Sequence, residues 1–250
     1  MNSFYCDNDN HDSEIKSLIY FNNQGMQHFE NGNFDKAKAF LRSAVIELNN
    51  LRETYEPIIS QDEPVCGDQF CVENGSPIQG WSMPFQRPER DDCAITFTRA
   101  MLLSDNESFS YFDDQACLFH LNVATVVLLY NTSLLNHVFS DANGQISTVV
   151  NEAYHGYEEA FVISRNMKET SSTFAFHLTV LTLALFNNMG VLYYNNMCRF
   201  ADAAQCFRAS RKKLNMLGEK MLHHNILTIK EVHNLSTNLL MVPRATTCAA

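Results

Sequence analysis

Apolar residues recur every three to four positions through most of this 250-residue chain, the period of helices with one buried face. The clearest run is Phe34, Ala37, Leu41, Ala44, Val45 and Leu48. It predicts the second of two helices between residues 13 and 54, with Ser13-Glu14 capping the first and Gly32-Asn33 breaking the pair. From residue 113 the same period predicts helices near 114–139, 146–168, 172–197, 200–217 and 219–241, then a frayed tail over 242–250. Residues 1–12 are polar and acidic and read as a disordered N-terminus. The expected fold class is all-α.

The period stops between residues 55 and 112. Pro57, Pro64, Pro77, Pro84 and Pro88, five of the chain's six prolines, fall there among Gly67, Gly75 and Gly80. Proline removes a helical donor and clashes with the preceding turn, so no helix is expected to cross this long, loop-rich insertion. Within it residues 94–102 read as an isolated strand with alternating faces. Trp81, the one tryptophan, stands beside Met83, Pro84 and Phe85, an apolar cluster suited to packing on the helices or to meeting a partner.

One unit recurs along the chain. Its first copy is Phe21-Asn22-Asn23-Gln24-Gly25, then Phe29, Gly32-Asn33-Phe34-Asp35, Ala37, Leu41 and Ala44. A second is Phe186-Asn187-Asn188-Met189-Gly190, then Tyr193-Tyr194, Phe200, Ala203, Phe207 and Ser210. A weaker copy lies between them, with Tyr130-Asn131-Thr132-Ser133 on its first helix and Val150, Ala153, Tyr157 and Ala160 on its second. Its connection is longer by about eight residues and is expected to hold Asn143-Gly144. Two antiparallel helices approach closely where both carry small side chains. Gly25 is therefore expected to face Ala37, and Gly190 to face Ala203, with Leu41 and Phe207 filling the groove toward the next hairpin.

This spacing of small, aromatic and apolar positions resembles the tetratricopeptide repeat (TPR). The resemblance covers about half the chain and implies an irregular α-α superhelix of about three hairpins. The small positions Gly25, Ser133 and Gly190 are 108 and 57 residues apart, against a regular TPR period of about 34. A last helix bearing Leu222, Ile226, Ile229, Val232, Leu235 and Leu239 would cap the open end.

Composition narrows the function. Apolar residues make up 46% of the chain and charged ones 18%, with a formal charge of −10 and a pI near 5.3. Phosphate binding needs a basic stripe, and Arg208, Arg211, Lys212 and Lys213 read instead as a solvated helix face, so no nucleic-acid partner is expected. No Asp, Glu, Lys or Arg lies between Asp114 and Asp141 or between Glu169 and Arg199. Those stretches contain His and Asn and lack basic flanks, so they read as helices sandwiched inside an array and not as membrane spans. The N-terminus has neither the positive start nor the apolar run of a secretory signal, so the eight cysteines are expected to be reduced thiols in the cytoplasm or nucleus.

The candidate site is the groove that the resemblance implies. An Asn stands two residues before the small position in every copy, at Asn23, Asn131 and Asn188, and a carboxamide can donate and accept together along a peptide backbone. With Met26, Tyr130 and Asn187 these residues are expected to bind a neutral, apolar peptide; no Lys or Arg is present to clamp a carboxylate. Cys66, Cys71 and Cys93 lack zinc-site spacing and a nearby His, so neither metal nor cofactor is expected. No nucleophile elbow, phosphate loop or dinucleotide fingerprint occurs. The expected function is a protein-interaction scaffold without catalysis. The alternatives are a structural subunit with no separate ligand and an enzyme with a site in the 55–93 loop.

Overall fold

A computed structural model describes residues 8–59, 78–81, 96–103, 114–144, 146–167, 172–217 and 229–241. The fold is all-α. Helix α1 (Asn8–Glu30) and α2 (Phe34–Ile59) are followed by two short strands, β1 (Ile78–Trp81) and β2 (Met101–Leu103). Then come α3 (Asp114–Ala142), α4 (Ser147–Arg165), α5 (Ser172–Asn195), α6 (Phe200–Leu217) and a last helix α7 (Ile229–Met241). The helices pair as α1 with α2, α3 with α4 and α5 with α6, while α2 packs on α3, α4 on α5 and α7 on α6.

The apolar period explains which helices lie outside and which inside. In α2, Ala37, Leu41, Ala44, Leu48 and Leu51 are buried on one stripe, whereas Val45, expected on that stripe, is exposed. Helices α3 and α5 have neighbours on both flanks and the β segment on a third side, so nearly their whole circumference is covered. Both are long and apolar enough to cross a membrane by length and composition, and 78% and 72% of their most apolar windows are buried within the protein.

The turns follow the sequence. Gly32 and Gly144 adopt φ of 72° and 84°, the left-handed conformation that ends a helix, and Cys198 takes the same role at φ 53°. The middle hairpin corrects the expectation of a long connection. Relative to the first unit, four of its eight extra residues lengthen α3, three lengthen α4, and one lies in the turn. The helices are each about one turn longer and the connection stays tight.

Two boundaries also differ from expectation, and part of the last helix lies outside the described residues. Helix α1 begins at Asn8, so Ser13 lies inside it, where the carbonyl of Ser13 accepts from Ser17 Oγ at 2.9 Å. Helix α2 runs to Ile59, past Pro57, because one lost hydrogen bond in a final turn leaves the preceding turns intact. In α7, Leu235 is buried and Val232 and Leu239 are half-buried, but Ile229 is exposed; Leu222 and Ile226 lie outside the described residues.

The helix crossings are tight: Gly25 lies against Ala37 as the small-on-small rule predicts, but the nearest side chains at Gly25 and Gly190 are Leu41 and Phe207. A Cβ on Gly25 would meet Leu41 Cγ at 3.1 Å and the Ala37 carbonyl at 3.4 Å; one on Gly190 would meet the Phe207 ring at 2.6 Å. Helical side chains lean toward the N-terminus, so Leu41 and Phe207 cover the turn occupied by Ala37 and Ala203. In the middle hairpin a Cβ on Gly156, three residues along α4 from Ala153, would run into Ser133 Oγ. Phe207 is enclosed on all sides, so Gly190→Ala overfills the crossing by about 1–3 kcal/mol. A better helix propensity returns up to about 1 kcal/mol. Thermal unfolding is expected to show a lower melting point for Gly190→Ala than for Gly25→Ala. A Cβ at Gly25 sits 3.1 Å from Leu41 Cγ and needs a shift of only a few tenths of an ångström, against 2.6 Å from the Phe207 ring at Gly190.

Burial of α5 also sets a pH response. His177 is 8% exposed, and burial pushes its imidazole below the usual histidine range. The folded state thus holds it neutral, while the unfolded chain protonates it near pH 6.5. Its contribution to stability is complete above that pH and declines as pH falls toward the folded-state value. Urea midpoints at pH 7.5 and 5.5 should differ less for His177→Gln than for the wild type.

Candidate functional site

Residues 96–103 lie extended across α5, α3 and α1, in that order, and are held there by side chains that grip their main chain. Asn188 on α5 accepts from the Phe97 N–H at 2.8 Å and donates to the Phe97 carbonyl at 3.0 Å. Asn131 on α3 does the same to Met101, accepting at 2.9 Å and donating at 2.8 Å. Asn23 on α1 accepts from Leu103 N–H at 3.0 Å and donates to its carbonyl at 2.9 Å. Between these clamps Tyr130 Oη donates to the Arg99 carbonyl at 2.8 Å. Residues 97, 99, 101 and 103 are two apart, so in extended backbone their polar groups point to one edge. The helices read that edge.

A further layer of amides orients the clamps. In the two Phe-Asn-Asn copies the preceding Asn donates to the clamp oxygen, Asn22 to Asn23 at 2.9 Å and Asn187 to Asn188 at 3.2 Å. Asn131 donates to Asn22 Oδ1 at 2.9 Å, and Asn22 also reaches the Met101 carbonyl at 3.3 Å. Asn238 of α7 donates to Asn187 Oδ1 at 2.8 Å, tying the last helix into the same network. Tyr157 Oη accepts from Asn188 at 3.2 Å. Burial raises the phenol pKa values of Tyr130 and Tyr157 well above the ordinary range, which keeps both hydroxyls protonated.

Of the six residues expected to line an open groove, Asn23, Tyr130, Asn131 and Asn188 hold this segment, Asn187 bonds Asn188, and Met26 lies in the core. Met26, Tyr130, Asn131, Asn187 and Asn188 are buried and Asn23 is half-buried. The carboxamides hold a peptide backbone, as their chemistry suggested, but the peptide is the chain's own. Nor is the strand isolated: β2 pairs antiparallel with β1, with Gly80 opposite Leu102 and Trp81 opposite Met101.

Charge enters at one point. Arg99 is the only charged residue between Cys93 and Asp105, and its Nε and Nη2 donate to the two carboxylate oxygens of Glu231 at 2.7 and 2.9 Å. The side chains are 7% and 15% exposed, so the pair is largely withdrawn from solvent. Sequence reasoning did not single out Arg99, Glu231 or Asn238, and it read Tyr157 as a packing position of the middle unit, not as a hydrogen-bond partner of Asn188. An arginine inside an apolar run was a usable signal for the first; nothing in the local pattern of α7 marked Glu231 or Asn238.

The arrangement can bind an extended backbone and select side chains. Among the described residues no three His, Cys, Asp or Glu side chains converge as a metal site would need. Cys66, Cys71 and Cys93 lie outside the described residues, and of Trp81 only the backbone is described. No family model, no curated protein and no solved structure matches the chain.

Proposed function

We propose that the chain is a TPR-like interaction scaffold, working in the cytoplasm or nucleus, that binds an extended protein segment along the face formed by α1, α3 and α5. The observation that supports this is the repeated amide clamp. Three asparagines at equivalent places on three helices each donate to and accept from one residue's main chain, a device that grips extended backbone whatever its side chains. The reading needs no metal or cofactor and no catalytic step.

Occupation of the face by residues 96–103 favours a second reading, in which the segment is a permanent internal strut and the protein is a subunit of a larger assembly. Size separates the two. A scaffold runs in lysate partly at its own 28.5 kDa, whereas an obligate subunit runs only at high mass. Proximity labelling with the full chain and with a folded Asn188→Ala variant is the direct test. The scaffold reading expects a set of neighbours that the variant loses; identical sets would sink it.

A further inference from the structure

Resting on the peptide-binding reading above, we propose that residues 96–103 are a built-in ligand, and that the partner is a foreign protein segment of the same pattern. That pattern is a large apolar residue, any residue, arginine, a small residue, a large apolar residue, any residue, and a third large apolar one. It follows position by position. Phe97, Met101 and Leu103 are buried, and Ala100 is wholly enclosed, which admits only a small side chain. Thr98 and Leu102 are half-buried and leave room for variation.

Arginine is specified at the third position. Its planar fork matches both oxygens of Glu231, whereas lysine presents a single point of charge. The clamps contact main chain alone, so a foreign backbone satisfies them as well as the resident one does. Selectivity then rests on the apolar seats and on Glu231.

The resident segment competes as part of the same molecule. An intramolecular competitor has an effective concentration in roughly the millimolar range, so a free peptide enters the intact protein only near that range. Weakening the resident segment raises the competent fraction and lowers the apparent Kd in proportion. Arg99→Ala does this and leaves Glu231 available to an incoming arginine.

The test titrates a fluorescent synthetic peptide of residues 95–104, and its arginine-to-alanine version, into full-length wild type, Arg99→Ala, and Arg99→Ala with Glu231→Gln. Anisotropy should show the arginine peptide binding Arg99→Ala at least tenfold tighter than wild type. It should bind that variant at least tenfold tighter than the alanine peptide does, and Glu231→Gln should abolish the preference. Equal binding of both peptides overturns the arginine-selective partner while leaving the peptide-binding reading intact. Uptake of neither peptide by a folded Arg99→Ala overturns both. A wild-type chain that doubles in mass at high concentration yet takes up no peptide assigns the site to a second copy and overturns the foreign partner. If Arg99→Ala does not fold, amide exchange in the wild type decides. Faster exchange at Phe97, Met101 and Leu103 with millimolar arginine peptide, and not with the alanine peptide, supports the proposal, and unchanged exchange overturns it.

Discussion

Asn131→Leu is expected to destabilise the protein by about 2–6 kcal/mol, the sum of roughly 1–3 kcal/mol for each buried polar group left without its partner. The groups are the Met101 N–H and Asn22 Oδ1, which bond Asn131 at 2.9 Å each. The Met101 carbonyl keeps a second donor, Asn22 Nδ2, at 3.3 Å. Leucine is close in volume, so the loss is polar and not a cavity. In a chain of this size each kcal/mol moves the melting point by about 2–4 °C, and a fall of about 10 °C is expected. Asn50→Ala on the exposed side of α2 should stay within about 0.5 kcal/mol. Asn131→Asp sharpens the assignment. It keeps the acceptor for Met101 N–H but loses both donations, and a protonated carboxyl regains one. Its deficit against wild type should therefore shrink as pH falls; a deficit that does not change with pH would place the effect elsewhere.

What the sequence made legible was whatever repeats with a fixed period. The three-to-four spacing located the hairpins, and residues of small or turn-forming type marked the breaks at Gly32 and Gly144. The recurrence of Asn23, Asn131 and Asn188 located the face that holds residues 96–103, because an uncharged side chain with both a donor and an acceptor is an unusual choice for the inner surface of apolar helices. The occupant was not legible. Residues 94–102 read as a strand from their alternation, and alternation says which faces differ without saying what lies against them. Arg99 and Glu231 are 132 residues apart, and no local spacing links them. The Gly190 crossing was misread for a related reason. Small residues on both helices announce a close approach, but the lean of helical side chains decides which atoms meet, and it brought Leu41 and Phe207 onto the glycines. In the middle hairpin the added length read as loop because residue counts do not distinguish a longer turn from longer helices.

Glu231→Ala carries the other large expected effect, and its size depends on what the segment does in response. Removing one partner of a withdrawn ion pair leaves an uncompensated charge and typically costs about 3–5 kcal/mol. Arg99 has two ways to respond. It can stay in place, unpaired, and the whole cost then appears as lower global stability. Alternatively, residues 96–103 can leave the face together and return the guanidinium to water, which exposes Phe97, Met101 and Leu103 and frees three clamps. Amide exchange distinguishes these routes, because the Phe97, Met101 and Leu103 N–H groups are each held by a different helix. In the first route they exchange no faster than neighbouring helical amides; in the second they lose protection as a set while α1, α3 and α5 keep theirs. The second outcome is expected, because eight residues fastened mainly through side chain to main chain bonds are cheaper to release than a packed hairpin. Arg99→Met combined with Glu231→Leu should recover most of the lost stability, since apolar residues of similar volume often replace a buried pair without penalty. A double variant as unstable as Glu231→Ala would mean that Glu231 supports α7 through contacts other than Arg99. Recovery would assign the loss in Glu231→Ala to the unpaired charge on Arg99.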